Sequence, residues 1–288
     1  PKPPLWLLSP KAAACAAPEP EAAEPSSYFL REREELRAMR ADGPPGHRLH
    51  LFASGATYLG EWIGNERHGF GEQRWLDGAT YIGEWARSLA HGVGRLTTPE
   101  KDVYIGRWSD GMAQGFGTYD SEQGRNVFRG MFRNDCQDGL GEETFPNGAV
   151  YRGQYVEGRR EGLGEYHWPD GGAYVGQWSN NHMSGLGQYR GSDGRVFDGT
   201  WCGSDMHGYG RYVWPDGRAY CGLYARGQKS GFGIFRWADG RIFAGFWFAG
   251  RQHGHGRLHA ADGSLFMEGI WNEGVCVQEE LSDPDYTL

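Results

Sequence analysis

Along most of this chain large aromatic side chains alternate with small and polar residues on a two-residue beat. An aromatic, a glycine two positions on and a second aromatic two beyond that recur as Tyr58-Gly60-Trp62, Tyr81-Gly83-Trp85, Tyr104-Gly106-Trp108, Phe128-Gly130-Phe132 and Tyr151-Gly153-Tyr155. The series continues with Tyr174-Gly176-Trp178, Phe197-Gly199-Trp201, Tyr220-Gly222-Tyr224 and Phe243-Gly245-Trp247, and a tenth, partial copy runs from Phe266 through Gly269 to Trp271. Of the nine intervals between starts, eight are 23 residues and one, from 104 to 128, is 24. Residues two apart share one face of a strand, so each copy predicts a strand with an aromatic face and an opposite face free to vary.

Seven residues after the second aromatic comes a Gly-x-Gly pair, from Gly69/Gly71 to Gly254/Gly256. Most copies then close on Asp-Gly or Asn-Gly, as at Asp77-Gly78, Asn147-Gly148 and Asp216-Gly217, with departures at Glu100-Lys101 and Gln123-Gly124. These dipeptides tolerate positive φ and are the strongest short hairpin signal. Each repeat therefore reads as strand, loop, a second strand opening at Gly-x-Gly, and a tight turn. The second strand adds rings on the same parity, among them Trp75, Phe145, Trp168, Trp214 and Trp237. Glycine weakens a strand, but here it leaves room for a large ring from a neighbouring strand.

The unit resembles the MORN (membrane occupation and recognition nexus) family. Tyr58–Gly71 (YLGEWIGNERHGFG) carries the motif nearly throughout, Trp201–Gly210 (WCGSDMHGYG) is close to it, and the likeness spans about residues 51–274. The resemblance implies an all-β fold: an elongated, single-layer, twisted antiparallel sheet of tandem 23-residue hairpins. Nine hairpins give about 18 strands, on the order of 80–90 Å at ~4.8 Å per strand. It also implies a protein-binding scaffold of the cytoskeleton that grips helical segments of partner proteins, with ciliary axonemes and radial-spoke heads as familiar settings.

Outside the array, residues 1–26 are Pro- and Ala-rich and read as an extended arm. In residues 27–50 a short charged helix runs from Ser27 to about Arg40, stopped by Gly43-Pro44, with Phe29, Leu36 and Met39 on one face. It is either solvated or docked on the sheet or a neighbour. Residues 275–288 form an acidic tail, and the last repeat leaves an edge that invites strand addition.

Function should be written where the copies disagree. On the face opposite the rings, early copies give Leu59/Glu61/Ile63, middle copies are polar, and late copies turn apolar. Leu223, Phe232, Ile234, Phe246 and Phe248 form an apolar patch on the nominal solvent side, the expected docking site for a partner protein or a second copy. The alternative is cover from within, by Val275–Val277 or the N-terminal helix. Arg129, Arg133, Arg152, Arg159 and Arg160, with Arg125 nearby, form a basic strip suited to anionic ligands.

Composition narrows the classes. Glycine is 48 of 288 residues and aromatics are 14%, which excludes an ordinary disordered linker. The net charge of -8 argues against nucleic acid and disfavours, without excluding, a membrane or phosphoinositide surface. Five irregularly spaced cysteines, Cys15, Cys136, Cys202, Cys221 and Cys276, point to reduced thiols in the cytoplasm. Residues 5–8 are apolar, but Pro10 and Lys11 interrupt the run, so no intact signal peptide is expected. No GxxxxGK[ST], HExxH or GxSxG motif is present. The scattered His68, His91, His207 and His253 read as turn-associated residues rather than metal ligands, and Glu61 and Glu84 as a solvated row. The expectation is a scaffold without catalysis, cofactor or metal. The regulatory subunit of a larger enzyme is a second possibility, and a sugar-binding array a third.

Overall fold

The computed structural model describes residues 27–39, 45–121 and 124–279. They form an all-β chain of 21 antiparallel strands preceded by two short helical segments, α1 (Ser27–Leu30) and α2 (Arg33–Ala38). The extended arm expected over 1–26 and most of the acidic tail lie outside the described residues. The described residues divide into two compact units, one up to Glu161 and one from Gly162 onward. In each, successive strands pair antiparallel with their neighbours in sequence.

The first hairpin shows the rule. Strand β1 (Gly46–Leu51) pairs with β2 (Thr57–Ile63), which pairs with β3 (Glu66–Arg74). In β2 the residues at Tyr58, Gly60 and Trp62 are buried and the alternating ones are exposed. β1 lies in the segment expected to be linker, and Val275–Glu279, expected to be tail, is a strand paired with Leu265–Asn272. With Leu265–Asn272 of the partial tenth copy, these make the three strands beyond the 18 of the nine hairpins.

Register explains the glycines. Gly60 pairs with Gly71 and Gly71 with Gly83; the same pairing joins Gly222 to Gly233 and Gly233 to Gly245. A lane of glycine thus crosses each unit, and the rings of Tyr58, Tyr81, Tyr104, Phe128, Tyr174, Phe197, Tyr220 and Phe243 lie on it. A Cβ at Gly222 would stand 2.5 Å from the Gly233 Cα and 2.7 Å from Tyr220 Oη. The rings pack edge to face: Tyr220 meets Tyr224 at 5.2 Å and Trp247 of the next repeat at 5.3 Å. Indole N–H groups donate to lane carbonyls, Trp85 to Gly71 at 3.1 Å and Trp247 to Gly233 at 3.2 Å. Tyr58 and Tyr220 hydroxyls donate to the Glu61 and Leu223 carbonyls at 3.0 Å. Rings on a single-layer sheet thereby become fully buried. A ring removing ~150–250 Å² from water at ~25 cal/mol/Å² contributes about 4–6 kcal/mol before entropy.

The turns differ from the expected arrangement. The loop between the two strands of a repeat is a two-residue turn with both residues at positive φ, as at Arg87-Ser88 (50° and 65°) and Asn180-Asn181 (47° and 66°). In Asp-Gly closures only the glycine has positive φ. Asp77 instead accepts the Ala79 N–H at 3.0 Å, and Trp75 bonds across the turn to Ala79. The second strand opens before Gly-x-Gly, and the first glycine of the pair adjoins the register shift, a bulge between Gly60 and Trp62 in the first copy. Two-residue hairpins and bulged three-residue hairpins alternate.

The N-terminal helix docks, broken at Arg31-Glu32, on the aromatic face of the first repeats. Phe29 is buried among Trp75, Tyr81, Trp85 and Trp108, with ring centroids 5.1–5.8 Å away. Glu32 Oε2 accepts the Trp75 indole N–H at 3.3 Å and lies 3.9 Å from Arg67 Nη1. Arg67 is fully buried over the Trp85 ring and also donates to Gln73 Oε1 and the Ser88 carbonyl, each at 2.9 Å. Burial pulls its guanidinium down to about 10, partly offset by Glu32. Leu36 is buried too, and Asn65 Nδ2 donates to its carbonyl at 2.7 Å.

Three outcomes follow. Glu32→Gln, which strands the Arg67 charge, lowers unfolding free energy by about 3–5 kcal/mol, and Phe29→Ala lowers it by a similar ~3–5 kcal/mol; urea titration followed by tryptophan fluorescence measures both. Gly222→Ala, with no positive φ to relieve and no space for a methyl group, costs about 3 kcal/mol or more, read as a loss of melting temperature.

Candidate partner-binding surfaces

The strands Ala219–Ala225, Gln228–Arg236 and Ile242–Phe248 carry the outer apolar patch. Phe232 pairs directly with Phe246, and Ile234 with Cys221 on one side and Ala244 on the other. The Phe232 and Phe246 rings meet at 5.9 Å, 79° apart, yet remain 51% and 50% exposed. Leu223 packs beside Gly231, and Phe248 stands against His253 at 5.7 Å. Neither intramolecular cover is seen among the described residues: the helix docks on the opposite, aromatic face, and Val275–Val277 is part of a strand.

The apolar character is also more widespread than the late repeats suggested. The middle residue of Gly-x-Gly is exposed in repeat after repeat, at Phe70, Val93, Phe116 and Leu140, then at Leu163, Leu186 and Tyr209. That row was legible as an apolar residue between paired glycines, and repeats 8 and 9 thicken it.

The arginine strip does not hold together as one surface. Arg133 pairs with Asp138 at 2.6 Å, Arg152 with Glu142 at 2.5 Å and Arg159 with Glu157 at 3.1 Å. Arg129 faces Glu142 across the strand pair. Arg160 is on the other face, 5.6 Å from the Phe145 and Tyr151 ring centroids. Strand alternation separates it from Arg159.

Glu61 and Glu84 are exposed, as a solvated row would be, and each also has a structural contact. Their carboxylates accept the Phe70 and Val93 backbone N–H groups at 3.0 and 2.8 Å, closing the bulge at the first glycine of each pair. Gln177 does the same for Leu186 at 2.7 Å. No cluster of three or more His, Cys, Asp or Glu side chains is arranged to hold a metal among the described residues. A shallow cleft of about 410 Å³ is lined by Asp193, Arg195, Trp214, Pro215, Asp216 and Arg218. Its arginines are paired with its own aspartates. Among the described residues no helix is long and apolar enough to cross a membrane.

One feature escaped the sequence reading. Lys229 Nζ lies on the aromatic face, 4.3 Å from Phe235, 4.5 Å from Trp247, 5.2 Å from Tyr220 and 5.6 Å from Trp214, measured to ring centroids. Its signal was the residue nine positions after the first aromatic, which reads Arg, Ala, Ala, Gln, Arg, Met, Met, Lys and Gln through the nine copies. Burial, and then the Arg218 charge, lower its ammonium from 10.5 to about 8.

Between about 8 and 10.5 the unfolded chain holds a proton that folded Lys229 has released, so this group makes stability rise with pH across that window. Lys229→Met removes the rise. Urea midpoints at about pH 7.5 and about pH 9.5 are expected to converge in the variant relative to the parent, the comparison cancelling the raised tyrosines common to both.

The MORN repeat pattern matches nine segments, residues 58–80, 81–103, 104–124, 128–150, 151–173, 174–194, 197–217, 220–240 and 243–265, more than half of the chain. No curated protein sequence matches it. Solved structures with some likeness include the TCP10 domain of Danio rerio CPAP in complex with a peptide of Danio rerio STIL. That pair shares 15% identity over 81% of this chain and 99% of that one, at a TM-score of 0.40. Another is the SAS-4 (dCPAP) TCP domain of Drosophila melanogaster in complex with a proline-rich motif of Ana2, 15% identical over 64% and 96% of the two chains, at 0.35. Scores this low transfer nothing from those proteins to this one.

Proposed function

Because the chain belongs to the MORN repeat family, we propose that it is a non-catalytic scaffold that binds partner proteins within a cytoplasmic, cytoskeletal assembly, the ciliary axoneme and its radial-spoke heads being the setting the family resemblance suggests. The observation that carries the reading is the Phe232–Phe246 pair, in ring contact on paired strands and half exposed. Apolar rings held by a strand ladder lose little freedom on binding, and anchors of this kind dominate protein interfaces. Net charge and the carboxylate pairing of Arg133, Arg152 and Arg159 favour a protein partner over an anionic membrane.

The test is co-purification from ciliated cells with the double variant Phe246→Ser/Phe248→Ser. Both positions are on the exposed face, so folding is retained, as circular dichroism would verify. The variant is expected to lose partners that the parent captures, axonemal proteins among them. Unchanged capture and unchanged oligomeric mass would sink the outer-face reading. Partners drawn only from another compartment would move the assignment away from the cilium.

A further inference from the structure

The docked N-terminal segment shows what the aromatic face accepts, and the eighth repeat presents the same receptor without a described occupant. Counting from the first aromatic of each repeat, Arg67 of the first copy corresponds to Lys229 of the eighth, Trp75 to Trp237, Tyr81 to Phe243 and Trp85 to Trp247. Trp108 corresponds to Trp271, allowing for the one extra residue in the tenth copy. Phe52 and Tyr58, which flank Arg67, correspond to Trp214 and Tyr220, which flank Lys229. Every ring that receives Phe29 in the first unit thus has an aromatic counterpart in the second.

The two sites differ in how they are completed. Arg67 has Glu32 beside it and Gln73 accepting from it; at Lys229 no carboxylate pairs among the described residues, and the Gln73 position is the ring of Phe235. The Trp75 indole N–H donates to Glu32, and the Trp237 indole N–H donates to no described residue. Trp75 is 5% exposed beneath α1, whereas Trp237 is half-buried. The Trp237 ring carries the Arg241 guanidinium, 5.5 Å from its centroid, in place of a docked segment. A cation among rings and an indole donor without an acceptor call for the same complement: a carboxylate three residues after an aromatic, as Phe29 and Glu32 supply across the break between α1 and α2.

We propose that the aromatic face of repeats 8–10 docks a short helical segment of a partner protein bearing an aromatic residue and, three positions later, a glutamate. The aromatic enters among Trp237, Phe243, Trp247 and Trp271, and the carboxylate meets Lys229 and the Trp237 indole N–H. The occupant is a partner rather than a second copy because this chain's own Phe29 and Glu32 are engaged at Arg67, and exchanging them would leave that buried guanidinium without its carboxylate. The inference rests on the scaffold reading and adds to it a second, inner face.

A synthetic peptide of residues 27–39 serves as probe, titrated against the full-length chain by fluorescence anisotropy. Lys229→Met is the test variant, since Met183 and Met206 occupy the same repeat position and the fold accommodates that side chain. Lys229→Met, or Glu32→Gln in the peptide, is expected to weaken binding about tenfold, and the two together no more than either alone, as for groups in direct contact. Absence of binding at about millimolar peptide, or binding indifferent to Lys229→Met, overturns the proposal. So does a dimer that Lys229→Met dissolves, which would make the occupant a second copy. If the peptide fails while Phe246→Ser/Phe248→Ser still abolishes partner capture, the inner-face inference falls and the scaffold reading stands.

Discussion

Everything in this protein depends on a ring lying flat over a glycine. A single-layer sheet has no second layer to bury its side chains against, and strands alone give only marginal stability in water. The first aromatic of a repeat solves this by covering two facing glycines, as Tyr58 covers Gly60 and Gly71 and Tyr220 covers Gly222 and Gly233, whereas Phe266 of the partial tenth copy is exposed. It then packs edge to face against the second aromatic of its own repeat and that of the next, at 5.1 and 5.3 Å for Trp62 and Trp85. The glycine lane is the price of that cover, and any methyl group in it would strike backbone or ring. Stability is accordingly passed from neighbour to neighbour, as expected of repeat proteins.

Much of this was legible because stacking forces repetition. Period-two aromatics, the 23-residue interval and the facing glycines define strand, face and register together, and the observed pairing of Gly60 with Gly71 and Gly83 follows from them. What the sequence hid was local backbone geometry. Asp-Gly looked like the two-residue turn, yet the turns with both residues at positive φ are built from varied pairs such as Arg87-Ser88 and Glu157-Gly158. There the tight antiparallel connection imposes the conformation and residue preference is overridden. The second role of Glu61 and Glu84 was hidden in the same way: each is exposed, and each also accepts a backbone N–H that the bulge supplies.

The candidate surfaces divide along the same line. The outer patch could be read because alternation alone places Phe232 and Phe246 on one face, and pairing then brings them into contact. The basic strip could be counted but not assembled, because Arg159 and Arg160 point to opposite faces and charge partners come from strands adjacent in space. The helix was legible as a helix, with Phe29 and Leu36 on one side. Its berth was not, because what selects it is a single arginine at a position where the next two copies have alanine.

That position separates structure from use on the aromatic face. The rings and glycines around it are fixed by stacking, so they carry no information about partners. The residue nine positions after the first ring is released from that constraint, since Arg67, Ala90, Met183 and Lys229 are all accommodated beside the same ring pair. A cation there adds little to the stack and imposes a desolvation cost, visible in the lowered values of both Arg67 and Lys229. In the first repeat the cost is offset by Glu32 arriving from outside the array. A face built by repetition thus differs in the copies that break the repeat: the charge at Arg67 is met by Glu32 from outside the array, whereas Arg160, at the same position in the fifth copy, has Glu143 of the array itself nearby.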